Sequence, residues 1–309
     1  MVKIHKKRKL GGAGERFACN MLCLPGLLSL VLFHFVPVFG IILAFKKYSY
    51  SKGILGSDWV GLKNFEFFFK SNDMVRILRN TVLYNVAWML LVNIFLGIVV
   101  AILLYEVKSR GANKLYQTSM LIPNFISWVA VAYIGYILLS PTEGVLNKAI
   151  VAMGGTAVKW YSEPSYWPAI LTFFAVWKDV GMASLYYYAS LLSIDTTLYE
   201  AASIDGAGRF KQIMTISIPE CLPMMCMVLI LRMGQVMNIG MDIFYQVPMQ
   251  QSALYETTDV ISTYLYRGLA SGDIGTTAAV GLFQSLIGVV LLFATNMIIK
   301  RVNPENAVL

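Results

Sequence analysis

Six stretches of this chain are dominated by apolar residues, and each is bounded by charged or turn-forming positions. A helix needs about 20 such residues to cross the hydrocarbon core of a bilayer. Residues 19–45, 80–104, 115–139, 166–192, 220–240 and 276–299 all reach that length. The first holds His34 and no Asp, Glu, Lys or Arg before Lys46; Pro25 and Pro37 are placed to kink it, because proline removes a helix hydrogen bond. The pattern predicts an all-α polytopic membrane protein with six transmembrane helices. Residues 1–18 read as a basic tail and 19–309 as one membrane domain. Residues 46–79 are polar and aromatic, suited to the membrane interface. Residues 105–114 form a short loop with Glu106, Lys108, Arg110 and Lys114, and 241–274 a longer one.

Composition sharpens this picture. At 57% hydrophobic and 14% charged, with a mean hydropathy of +0.64, the chain is too apolar for a soluble protein. The net charge of +8 does not indicate nucleic acid, since the basic residues are not gathered on a soluble face; they suit anionic lipid. With the N-terminus inside, cytoplasmic segments carry 13 basic residues and outer loops 10. Lys46 and Lys47 oppose that orientation, whereas Lys300 and Arg301 agree with it, so both termini are expected in the cytoplasm. The four cysteines, Cys19, Cys23, Cys221 and Cys226, lack partners at metal-ligand spacing and read as small packing residues. The first apolar run is too long for a cleavable signal.

One polar stretch between the fourth and fifth spans stands out. Thr197 with Glu200 has capping-box spacing, so a helix should start near Thr197. Gly206 and Gly208 should end it, Arg209–Thr215 can form a second short helix, and Pro219 suits the start of the next apolar run. Glu200, Ala201, Ala202, Gly206, Ile216 and Pro219, with Ile218 in place of Leu, fall in register with a known pattern. This stretch resembles the "EAA" loop of ATP-binding-cassette (ABC) importer permeases. Segments such as Trp59–Phe65, Tyr255–Ile261 and Ala278–Ser285 extend the resemblance to the carbohydrate-uptake class, in the branch associated with polysaccharide-derived oligosaccharides.

The resemblance implies that the loop docks on an ATPase subunit. Ala201, Ala202 and Gly206 would allow close approach, Glu200 and Asp205 would supply charge, and Ala207, Gly208 and Arg209 lie in the same turn, with Lys211 beyond. It implies a second homologous permease, two ATPase subunits that use ATP and Mg, and an extracytoplasmic solute-binding protein. The chain has no GxxxxGK[ST] phosphate loop of its own, so no cofactor is expected on it and it is not read as an enzyme.

Charges within spans are costly and mark functional candidates. Lys178 and Asp179 follow Trp177 in the fourth span, with Tyr186 further along. Arg232, Gln235 and Asn238 recur at a spacing that puts them near one helical face of the fifth. They either neutralise one another and snorkel to an interface, or they line a path; the resemblance favours the path, for an oligosaccharide. Lys178 and Arg232 together would suit an acidic sugar, while a neutral one fits Trp177, Tyr186, Gln235 and Asn238 as well. Asn85, Asn93, Gln284, Ser285 and Asn296 read as interhelical hydrogen bonders, and Gly281 and Gly288 as small packing faces. A non-sugar solute is the alternative cargo. A secondary transporter would need mid-span acidic pairs and an internal repeat, neither of which is evident.

Overall fold

The computed structural model describes residues 13–238 and 240–302. Most of the basic tail, residues 1–12, and residues 303–309 lie outside them. The described residues are all-α apart from one two-residue strand pair, and the protein is polytopic. Among the described residues, four helices are long and apolar enough to cross a membrane: Cys19–Phe45, Met74–Glu106, Pro164–Leu192 and Ile274–Arg301. Two bent helix pairs, Arg110–Phe125 with Trp128–Leu139 and Arg209–Glu220 with Leu222–Gly234, raise the number to six if each pair is one span.

The chain divides into two units. In the smaller, residues 1–68 and 273–282, the helix ending at Phe45 runs into a short antiparallel pairing of Lys46 with Trp59 and Lys47 with Asp58. Lys46 is only 3% exposed. Its Nζ donates to the carbonyls of Ile54 and Leu55 at 3.1 and 2.7 Å and lies 5.3 Å from the centre of the Trp59 ring. This lysine, whose charge opposed the N-in orientation, therefore serves a turn.

The larger unit, residues 69–272 and 283–309, is built around helix Trp167–Leu192. Its buried face, with Trp167, Leu171, Phe174, Tyr187 and Leu191, packs against the C-terminal part of helix Met74–Glu106 and against Arg110–Phe125. Gly181 allows the second approach: a Cβ there would sit 2.1 Å from the Met120 carbonyl oxygen. Gly181→Ala is expected to push these helices apart at a cost of about 1–3 kcal/mol, read as a lower yield of folded protein in detergent.

The third expected span is not a straight helix. Its halves meet at 94° around Ile126 and Ser127. Pro123 has no N–H to continue the ladder, Ile126 is extended, and the Ser127 hydroxyl accepts the Ala130 N–H to start a new helix. The second expected span is longer than its apolar core, because Met74–Asn80 adds amphipathic turns to it. It contains a π-helical stretch, Met89–Leu96. The expected fifth span stops early at Gly234, and the supposed loop 241–274 is largely ordered, with helices Met241–Gln246 and Ile261–Ala270. There Asp259, 1% exposed, accepts two 2.8 Å bonds from Arg267 and lies 3.3 Å from Arg76. Charged pairing is what lets a carboxylate remain buried.

Candidate functional site

A cavity of about 200 Å³ opens within the larger unit. One wall is helix Met74–Glu106, which contributes Asn85, Trp88, Met89, Val92 and Asn93. The π-helical stretch widens the helix there, as π-turns do at functional sites. It also frees the Asn93 carbonyl, which the Tyr187 hydroxyl satisfies at 2.7 Å. Asp179, Arg232, Gln235 and Asn238 complete the polar lining, with Trp88 and Trp128 as its aromatic faces.

Arg232, Gln235 and Asn238 do share one cavity, but not because a helix face carries them. The helix ends at Gly234, Gln235 caps it and Asn238 lies in the following turn. Gly288 permits the break to pack closely: a Cβ on it would be 2.7 Å from the Gly234 carbonyl. Gly281, its expected partner in a packing face, has open space beside it. Arg232 is exposed, and among the described residues its guanidinium has no hydrogen-bond partner; Asp179 lies within its electrostatic reach. A second cavity of about 230 Å³ shares Gln235 and Asn238 and is bounded by Gln284 and Ser285.

Lys178 is elsewhere. It is 6% exposed, and its Nζ donates to the carbonyls of Pro123, Asn124 and Ile126, the first two at 3.1 and 2.7 Å. Its three donors meet three carbonyls where helix Arg110–Phe125 ends, one of which, Pro123, also accepts the Ile126 N–H at 3.2 Å. The ammonium also lies 5.2 Å from the Trp128 ring centre. Trp177 packs on the apolar core and Tyr186 is exposed away from the cavity lining. Of the seven nominated path residues the cavity thus gathers Asp179, Arg232, Gln235 and Asn238. Asn85 and Asn93, expected to bridge helices, instead bond to their own helix through Thr81 and Trp88 and face the cavity.

The polar stretch after Leu192 folds into a two-helix knob, Thr196–Ile204 and Arg209–Glu220. Its N-cap is Asp195, which accepts the Thr197 N–H at 3.0 Å, so the Thr197–Glu200 capping box is not formed. An earlier, stronger cap displaces it. That hydrogen bond holds the Asp195 carboxyl below the ordinary carboxylate range, so the cap persists at neutral pH and weakens only as pH falls through the lowered value. Gly206 adopts φ +77°, with Ala207 N–H to Ala202 C=O at 2.9 Å and Gly206 N–H to Ser203 C=O at 3.1 Å. This is a Schellman ending.

Inside the knob, the Gln212 amide donates to Ser203 Oγ and the Ala207 carbonyl at 2.9 and 3.0 Å, and the Tyr199 hydroxyl meets Ser217 Oγ at 2.9 Å. Arg209 is half-exposed and paired: Nε donates to Glu106 Oε2 at 2.8 Å and Nη2 lies 2.7 Å from Oε1. Facing out are Glu200, Ala201, Asp205 and Gly206, with Ala202 and Ala207 half-buried behind them. Gly208 and Pro219 are exposed and Ile218 is half-buried. Two large apolar residues also face out, Ile204 at 87% and Phe210 at 77% exposure. Neither was nominated from sequence, where an apolar residue in a polar loop reads as local packing.

Residues 93–304 match the family model described as binding-protein-dependent transport system inner membrane component. The chain belongs to this family. Its members are transport components rather than enzymes. The permease is 34% identical to Protein LplB of Bacillus subtilis (strain 168), over 92% of this chain and 89% of that one. It is 33% identical to the polygalacturonan/rhamnogalacturonan transport system permease protein YteP of the same organism, over 98% and 94%. A chain of the crystal structure of a bacterial ABC transporter involved in the import of the acidic polysaccharide alginate superposes with a TM-score of 0.84 at 30% identity, covering 94% of the permease and 97% of that chain. A chain of a bacterial alginate ABC transporter in complex with alginate pentasaccharide-bound periplasmic protein gives 0.82 at 30% identity, over 94% and 96%. Both the knob and most of the cavity lining fall within the matched segment; Asn85, Trp88, Met89 and Val92 precede it.

Proposed function

We propose that this permease forms half of the translocation path of an ATP-driven oligosaccharide importer, with the two-helix knob docking on an ATPase subunit. The observation that carries the reading is one cavity holding an unpartnered Arg232 beside Asn85, Gln235, Asn238 and two tryptophans. Amide groups match sugar hydroxyls and indole faces match their C–H surfaces. The likeness to YteP and to the alginate importer supports the same cargo class, and Arg232 suits its acidic members.

The complete machine has a second permease of similar fold, two ATPase subunits that use ATP and Mg, and an extracytoplasmic solute-binding protein; for the last, the similar alginate transporter in complex with a periplasmic protein is the support. The chain sits in the bacterial cell membrane as six spans, each bent helix pair being one, with both termini cytoplasmic. ATP binding draws the ATPases together, the knob moves with them, and the cavity changes its side of access.

The test is ATP hydrolysis by the reconstituted complex with its binding protein and a panel of neutral and acidic oligosaccharides. Acidic oligosaccharides are expected to stimulate turnover. Arg232→Gln is expected to weaken their effect by about tenfold, the worth of one charge-assisted hydrogen bond, while sparing neutral ones. Turnover that answers to no carbohydrate would end the cargo assignment.

A further inference from the structure

Glu106 and Arg209 each occupy the wrong end of their own helix. Glu106 closes helix Met74–Glu106, where the helix dipole disfavours a carboxylate, and Arg209 opens Arg209–Glu220, where it disfavours a cation. Residues that break a local rule generally answer to a demand from further away. Here they answer to each other, across 103 positions of sequence, through a two-pronged ion pair at 2.7 and 2.8 Å. Arg209 is held on the knob side as well. Its Nη1 donates to Gln212 Oε1 at 3.0 Å and its guanidinium lies 5.7 Å from the Tyr199 ring centre. Gln212 bonds in turn to Ser203 on the first knob helix, so the pair is keyed to both.

The chain itself joins the knob only to helix Trp167–Leu192 and to the bent helix after Glu220. Helix Trp167–Leu192 packs along helix Met74–Glu106, which carries Asn85, Trp88, Met89, Val92 and Asn93 of the cavity wall. The ring of Tyr105, near the end of that helix, lies 6.2 Å from that of Tyr199 of the knob; the Glu106–Arg209 pair adds a charged, two-point link from the knob to that end. We propose that the Glu106–Arg209 ion pair is the strut through which movement of the knob is passed to that wall. Both are positioning residues, and the inference rests on the coupling role proposed for the knob. When an ATPase subunit displaces the knob, the strut carries the C-terminal end of helix 74–106 with it; without the strut, that end is left to ring packing and to its contacts with helix Trp167–Leu192, and it follows the knob less closely.

The experiment uses the complete reconstituted importer with its binding protein and acidic oligosaccharide as cargo. Uptake per ATP hydrolysed is compared for wild type, Glu106→Gln, Arg209→Gln, the exchanged pair Glu106→Arg with Arg209→Glu, and Phe210→Asp on the knob's outer face. Each single strut variant is expected to assemble and hydrolyse ATP but to lower uptake per ATP by about tenfold, a typical coupling effect. The exchanged pair, which restores the contact, is expected to recover it. Strut variants that transport like wild type while Phe210→Asp does not would overturn the strut and leave the knob's coupling role standing. Normal transport by Phe210→Asp as well would overturn both. Should the single variants fail to assemble, the exchanged pair decides: recovered assembly with uptake per ATP still low overturns the strut, and recovery of both supports it.

Discussion

Lys178→Met is expected to abolish assembly of the permease rather than its response to cargo. Its three ammonium donors serve the carbonyls of Pro123, Asn124 and Ile126 at a 94° break in the chain. Methionine fills similar volume and offers none, so the carbonyls of Asn124 and Ile126 would lose their ammonium donor inside an apolar setting, while Pro123 keeps only the Ile126 N–H at 3.2 Å. Each such group costs on the order of several kcal/mol there, a sum comparable to the whole stability of a typical domain, about 5–15 kcal/mol. The measurement is the yield of intact complex after detergent extraction, with Lys178→Arg as a control that keeps donors. Normal yield together with a selective loss of cargo-stimulated turnover would return Lys178 to the translocation path.

Phe210→Asp is expected to act in the opposite way, leaving the fold intact and disconnecting it from ATP. Phe210 and Ile204 are the two most exposed large apolar side chains of the knob, and Phe210 has no packing role in the core clusters. A large aromatic held out on the same knob as the exposed Ala201 and Gly206 has the form of an interface anchor. Removing such an anchor costs about 2 kcal/mol or more, roughly thirtyfold in affinity, and a carboxylate in its place adds desolvation. The check is co-purification of the ATPase subunits together with cargo uptake: both should fall by that order, while the permease alone keeps its thermal midpoint. Retained ATPase binding at wild-type strength would remove Phe210 from the docking face.

How far the site was legible in the sequence follows from these residues. Arg232, Gln235 and Asn238 were identifiable because polar residues in an apolar run are costly wherever they point. The knob was identifiable because glycine spacing and small residues report a tight turn directly. Asn85 and Asn93 read as interhelical bonders, whereas each bonds to its own helix and lines the cavity; for Asn93, nothing in the neighbouring sequence reveals the π-helical stretch that holds it. The hydrogen bonds of Lys178 were not legible for a related reason: its acceptors are carbonyls more than 50 positions away, and backbone acceptors leave no mark in a sequence.

What the sequence determined by itself is the membrane class, the helical content, the apolar stretches and the knob, since each depends on local hydrophobicity, period or turn chemistry. Tertiary structure alone decided where helices break, which polar groups face a common cavity, and that Glu106 meets Arg209. Those outcomes depend on which backbone groups are left unsatisfied at a break and which distant side chain can reach them, a matter of three-dimensional proximity that no local pattern encodes.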